Sequence, residues 1–454
     1  MKTPRFPHPL VLMVGGIIIA AALTYILPAG AFDRREDPDN GRKVVVAGTY
    51  HRVDSSPVRP FDAVVAIPKA IVDAALVIGF VFLVGGAFAV VDKTGVLRHA
   101  VEWLVAKLGH RDWVVIVVAS VLFAAGGAFE NMQEEIIALV PVLLLLARRM
   151  GWDSLTVAAM SVGAAAVGSS FSPYNPFQVL IAQHVAELPQ GSAAGFRLVF
   201  LLLAVALWIL VTIRYARRSR PEDDTEVVDA AEHEHASVRV SGGHAVVILG
   251  MVAVTFAIFV WSVTVLHWDF DRLAAIFFVM GIAAGFIGGL GLEGTAEAYV
   301  EGFRSMAFAA LLIGFARAIS VVLSDGQVID TIVYALSMPL AGLPAIVSGL
   351  GMMIVHVVIH VPVPSVSGQA VLTLPVLVPL SDLLHIPRQA TVLAYQYGAG
   401  LCELITPTNG ALMAILAAAG VRFEKWLKFT APLFAALFLL GFVAVATAIL
   451  IGLQ

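Results

Sequence analysis

The chain has little cysteine and little charge, and it lacks the signatures of several large functional classes. Cys402 is its only cysteine, which excludes an internal disulfide and leaves the compartment open. Only 13% of its 454 residues are charged, and the net charge of −4 says nothing about partners. Basic residues sit at the ends of apolar runs, with no arginine-rich stripe interleaved with aromatics, so no nucleic-acid partner is expected. No glycine-rich phosphate loop of the Walker type is present, which argues against direct ATP drive, and no cofactor is expected beyond a coupling ion. What the chain has instead is apolar length. Its 59% hydrophobic residues and mean hydropathy of +0.92 define an all-α polytopic protein of the lipid bilayer.

The first run, Leu10 to Leu27, exceeds the ~7–15 residues of a signal-peptide core and is read as a retained span rather than a cleaved leader. Lys2 and Arg5 before it place the amino terminus in the cytoplasm. Residues 30–70 are polar, with a strand-like Lys43-Val44-Val45-Val46, and are expected outside. A span from Ile71 to Val91 returns inward, after which Leu97, Val101, Leu104, Val105 and Leu108 share one face of a helix lying in the cytoplasmic interface. The runs Trp113 to Phe129 and Ile136 to Ala147 are joined by Glu130-Asn131-Met132-Gln133-Glu134-Glu135. They are flanked by His110-Arg111 and Arg148-Arg149, which predicts a re-entrant hairpin over 112–149, open to the cytoplasm with its polar tip at membrane depth. A broken helix over 155–185, interrupted from Gly168 to Pro176, leads to a span from Arg197 to Ile213. Residues 216–243 read as a cytoplasmic linker, and His233-Glu234-His235 in it as a solvated charge run or a weak metal site.

The second half repeats this order. Spans Ala245 to Val265, Leu273 to Leu292 and Ala307 to Leu323 precede a second hairpin over 343–380, tipped by Pro364-Ser365-Val366-Ser367-Gly368-Gln369. A broken helix over 389–420 and a last span from Phe429 complete the chain. The breaks are one motif written twice, Ser172-Pro173-Tyr174-Asn175 and Thr406-Pro407-Thr408-Asn409. Pro173 and Pro407 are 234 positions apart, as are Asn175 and Asn409, and as are Pro141 and Pro375 in the preceding hairpins. Residues 1–215 carry four spans and 244–454, starting from the cytoplasm, carry five. The second hairpin therefore opens to the outside, the two repeats are inverted, and the carboxyl terminus lies outside.

Proline removes a backbone donor, and asparagine supplies a polar group that hydrocarbon does not tolerate unpaired. At each break the carbonyls freed from the first half-helix are suited to a cation such as sodium. The amide end of the second half-helix, capped at Asn175 or Asn409, is suited to a carboxylate. The alternative, two kinks in packed helices, does not explain why the copies are in register and each paired with a polar tip. Arg317 lies within its span, where a charge costs about 2.5–3.5 kcal/mol and needs a partner. Glu134, Glu135, Glu403 or a substrate carboxylate would serve, as would a purely structural carboxylate pair. The acidic excess of Glu130, Glu134, Glu135 and Glu403 suits a substrate bearing an amine beside its carboxylate, or a coupling proton. His356 and His360 have the i, i+4 spacing of a zinc pair, but Val357 follows the first, so the metalloprotease motif is missing. They line the hairpin, relay a proton, or, in a second functional reading, serve with Glu403 a membrane-embedded metal-dependent enzyme.

Four stretches resemble the anaerobic C4-dicarboxylate carrier family and, within it, the YfcC-type branch. They are Pro364-Ser365-Val366-Ser367-Gly368-Gln369-Ala370, Gly314-Phe315-Ala316-Arg317-Ala318-Ile319, Tyr395-Gln396-Tyr397-Gly398, and Leu404 through Met413. The family belongs to the ion transporter superfamily. The resemblance implies two hairpins and two broken helices moving as an elevator against a fixed homodimer interface in a bacterial inner membrane. It implies sodium or substrate binding at Asn131, Ser172, Asn175, Ser365, Ser367, Thr406 and Asn409, with Gln396 beside them. The first tip lacks the small Ser-Asn-Thr signature of sodium-coupled dicarboxylate carriers, so proton coupling or exchange stands beside sodium. The substrate is then an amino acid, basic ones included, or a C4-dicarboxylate.

Overall fold

The computed structural model describes residues 8–36, 43–46, 48–96, 112–219, 242–264, 266, 268 and 270–454. The interfacial helix expected over 97–108, the tripeptide His233-Glu234-His235, Lys2 and Arg5 all lie outside the described residues.

Helix α1 (Pro9–Ile26) starts on a proline, whose missing N–H costs nothing in a first turn. Two short antiparallel ribbons follow, β1 (Gly30–Ala31) with β4 (His51–Arg52) and β2 (Arg34–Glu36) with β3 (Lys43–Val45). The span expected from Ile71 begins earlier, as α2 (Pro60–Asp73), turns at Ala74, and continues as α3 (Ala75–Lys93). Polar Asp62 and Lys69 disguise α2 in the sequence, whereas in the fold its Ala63, Ala66 and Ala70 are buried.

Helices α4 (Asp112–Glu130) and α5 (Glu134–Met150) flank the first tip, the segment expected as the first hairpin. The first broken helix is α6 (Ser154–Ser170), then a π-helical turn Pro176–Leu180 running into α7 (Ile181–Val185). Next come α8 (Ala194–Arg218), α9 (Gly242–Thr264), α10 (Phe270–Ile287) and the long α11 (Gly291–Asp325). Residues 216–218 and 242–243, expected in the linker, are therefore helical. After α12 (Ile329–Ser337), α13 (Ala345–His360) and α14 (Val366–Leu383) form the second hairpin. The second broken helix is α15 (Arg388–Cys402) and α16 (Gly410–Ala418), and α17 (Phe423–Leu450) ends the chain. Among the described residues six helices are long and apolar enough to cross a membrane.

Helix α11 packs against α1, α2 and α3 on one side and α16 on another, while α10 packs on α3. The hairpins and broken helices also pack on one another, with α4 on α6, α13 on α15, and α14 on both α7 and α15, while α5 of the first hairpin packs on α3. Glycine permits the closest of these approaches. A Cβ on Gly127 of α4 would stand 2.0 Å from the Ala165 carbonyl oxygen, and one on Gly168 of α6 would stand 2.0 Å from that of Ala124. Backbone therefore meets backbone at the first hairpin.

Two polar clusters fix the direction of the broken helices. Asp153, which caps α6, accepts from Tyr215 Oη at 2.7 Å and pairs with Lys425 Nζ at 3.5 Å, just beyond α16. Arg388, which opens α15, donates to the carbonyl of Ala186 and to Glu187, both at 2.9 Å, just beyond α7. The start of each broken helix lies beside the end of the other, so the two run antiparallel.

Candidate functional site

At the first break, Asn175 has its side-chain oxygen on the N–H groups of Phe177 and Gln178, both at 2.9 Å. It thereby satisfies the amide end that the sequence reserved for a carboxylate. Its Nδ2 donates to the Gly127 carbonyl at 2.8 Å, and Ser172 Oγ donates to the Ala128 carbonyl at 2.6 Å, so both hold the end of α4. Asn131, at φ +55° in the tip, accepts from Ser169 Oγ at 2.7 Å and from Gln178 Nε2 at 3.2 Å. Asparagine tolerates this left-handed conformation better than most residues. The carbonyl freed at Ser172 is taken by Gln396 Nε2 of α15 at 2.7 Å.

At the second break, Asn409 accepts from the Leu412 N–H at 3.1 Å and donates through Nδ2 to Gln133 Oε1 at 3.1 Å. Gln133 belongs to the first hairpin tip, and its own Nε2 donates to the Glu403 carboxylate. Gln133, Glu403, Asn409 and Thr406 are all buried. The expectation that each break is served by its own tip thus needs correction. The first tip reaches both breaks, because α5 packs on α16. The second tip meets the second break through Thr408 Oγ1, which donates to the Val361 carbonyl at 2.8 Å.

Other predicted residues fall further out. Ser365 caps α14, accepting from the Gly368 N–H at 3.3 Å, and Ser367 sits half-buried in that helix's first turn. Glu135 accepts from the Gln133 N–H at 3.1 Å, whereas the Glu130 and Glu134 side chains lie outside the described set. Arg317 has neither Glu135 nor Glu403 among its described partners. It donates to Asp73, and both side chains are half exposed, because that face of α11 turns toward the α2–α3 joint. His356 and His360 are buried in the second hairpin and share Gln369. Its Nε2 donates to the His356 carbonyl at 2.8 Å, which fixes the amide orientation; His360 Nδ1 then donates to Oε1 and His356 Nδ1 accepts from Nε2, both at 3.1 Å. Among the described residues no group of three or more His, Cys, Asp or Glu side chains is placed to hold a metal.

The family profile of the C4-dicarboxylate anaerobic carriers, DcuC, matches residues 6–450. The chain belongs to this family. It is a membrane transport protein, spanning the bilayer several times. It is similar to YfcC of Escherichia coli (strain K12), with 32% identity over 98% of this chain and 97% of that protein. It is also similar to an uncharacterised protein of Haemophilus influenzae, with 27% identity over 97% of this chain and 96% of that protein. Among solved structures, the YdaH transporter of Alcanivorax borkumensis is 17% identical, covering 98% of this chain and 99% of that chain, with a TM-score of 0.44.

In this carrier several polar residues escaped the sequence reading. Gln133 was passed over between Asn131 and the tip glutamates, although a neutral amide can donate to one break and accept from the other. Arg197 stands at the start of a span in the sequence, yet it is fully buried. Trp208 Nε1 donates to the Ala159 carbonyl at 2.8 Å, in the π-helical turn of α6, and Trp426 Nε1 to the Leu404 carbonyl at 2.7 Å, at the second break. A lone tryptophan in an apolar run gives no sign of this. A cavity of about 440 Å³ involves no break residue. It lies between the β1–β3 segment, the α11–α12 joint and the first turns of α14, beside the ion pair of Arg34 with Asp330 at 2.8 Å.

Proposed function

We propose that the chain is a secondary active carrier of a small carboxylate-bearing metabolite, working at the paired breaks and coupled to protons or sodium or by exchange. The observation that carries this is Gln133, which ties Glu403 and Asn409 of the second break to the tip of the hairpin that holds the first. Polar groups that satisfy one another across two interrupted helices are ones a solute can displace by offering the same hydrogen bonds. The antiparallel run of the broken helices supports inverted repeats over 1–215 and 244–454. An elevator, in which hairpins and broken helices slide against α1–α3, α10 and α11, is part of the proposal and requires the contacts of α5 with α3 and of α16 with α11 to be remade as they move; the family supports a homodimer. A cytoplasmic amino terminus and an outside carboxyl terminus in a bacterial inner membrane complete the proposal.

Two substrate classes stand. The family description names C4-dicarboxylates, while the name of the Escherichia coli relative assigns it provisionally to basic amino acid antiport. Glu403, a buried carboxylate at the break, suits an amine-bearing substrate and favours the amino acid. Purified protein in liposomes should show saturable uptake or exchange of one of these classes under an imposed proton or sodium gradient. No uptake of any dicarboxylate or amino acid under either gradient, or in exchange, would sink the proposal. The transporter family is what speaks against the enzyme reading at His356 and His360.

A further inference from the structure

The first turn of α8 holds a fully buried guanidinium. Arg197 Nε donates to Gln396 Oε1 at 3.1 Å, Nη1 to the Ser192 carbonyl at 2.9 Å, and Nη2 to Gln389 Oε1 at 2.9 Å. All three acceptors are neutral oxygens, and no carboxylate is among its partners in the described residues. A buried cation without a counter-ion is costly, and the amide end of a helix is an unfavourable place for one. Its field reaches the first break through one side chain. Gln396 accepts from Arg197 with its oxygen and donates with its nitrogen to the Ser172 carbonyl, the group freed by the break.

One helical turn further along the same face of α15 is Gly400. A Cβ there would stand 3.0 Å from Gln178 Oε1 and 2.8 Å from Ser170 Oγ. Gln178 Oε1 is buried and accepts no hydrogen bond. Asn131 Oδ1 and Ser169 Oγ accept from the other end of that amide, its nitrogen, so the three are neutral oxygens of the ligand type sodium takes, with Gln178 Oε1 the one left without a donor among the described residues.

We propose that Arg197 is a fixed internal cation that stands in for a metal ion at the first break, so that this half-site works without sodium. The inference rests on the carrier reading for what the half-site serves, but its test does not depend on transport. Like charges within one low-dielectric polar region disfavour each other, by roughly tenfold or more in affinity. Removing the charge should therefore create a sodium site from oxygens already present.

The test is a sodium titration of the melting temperature of the purified full-length protein, against choline at constant ionic strength. Arg197→Gln removes the charge. Gln389→Glu keeps the guanidinium and its Nη2 bond but neutralises it; the Ser192 hydroxyl, which now accepts from Gln389 Nε2 and donates to the Pro189 carbonyl, would turn from that carbonyl to the new carboxylate. Gln396→Met keeps the charge and frees the Ser172 carbonyl. Arg197→Gln and Gln389→Glu should each gain a saturable sodium response at least about tenfold tighter than any in the wild type. Gln396→Met should respond as the wild type does. The proposal is overturned if Arg197→Gln and Gln389→Glu respond as the wild type, or if Gln396→Met gains sodium as strongly as they do. Should Arg197→Gln fail to fold, Gln389→Glu decides alone. A purely structural Arg197 predicts altered stability with no distinction between sodium and choline. Failure of the carrier reading would show separately, as absent uptake with these sodium responses intact.

Discussion

Single side chains decide which charges belong to the site. Glu403 is buried at the second break and takes a hydrogen bond from Gln133, whereas Arg317, which looks equally deep in the sequence, is half exposed and paired with Asp73. Depth along a run is legible from position, but the direction a side chain faces depends on what packs around the helix. Gln133→Leu should therefore cost about 1–3 kcal/mol, the usual effect of removing one partner of a buried polar group, and should weaken substrate binding. Thermal unfolding and a binding titration of the variant would check both. Arg317→Ala removes a half-exposed pair worth at most about 1 kcal/mol, so substrate affinity should match the wild type. A tenfold loss of affinity in the same titration would return Arg317 to the site.

At the scale of elements, the break is a local feature completed by distant partners. Pro, Asn and their 234-residue repeat announce two interrupted helices, and Asn175 and Asn409 do cap the second half of each. The partners of the freed carbonyls, Gln396 at Ser172 and Trp426 at Leu404, come from helices far along the chain, and no local pattern marks them. Helix α2 was hidden for a different reason: its few polar residues obscure a face of alanines that only a packed neighbour makes meaningful. Glycines separate in the same way. Gly127→Ala would drive a methyl into the Ala165 carbonyl and should destabilise by about 1–3 kcal/mol, toward the upper end because the obstacle is backbone. Gly79→Ala meets nothing within 4 Å and, in a helix interior, should stabilise by up to about 1 kcal/mol. Melting temperatures of the two variants in one detergent should move in opposite directions.

For the whole molecule, the question is which group of helices moves. Ser320 Oγ of α11 donates to the Pro362 carbonyl of the second tip at 3.3 Å, and α11 also packs on α16. In an elevator these contacts lie across the sliding boundary. A Ser320→Cys, Pro362→Cys pair should form an oxidative cross-link that stops transport and releases it on reduction, with Cys402 buried and out of the way. Full transport by the cross-linked protein would mean that α11 travels with the hairpin. The sequence by itself determined a polytopic helical membrane protein with two interrupted helices, because apolar run length and proline are properties of the chain alone. Only the tertiary structure decided that the first tip serves both breaks, that Arg317 faces away, and that Arg197 is a buried cation behind the first break. Each of these depends on which helix lies beside which, and burial and hydrogen-bond partnership are set by that neighbour rather than by the residue's own position in a run.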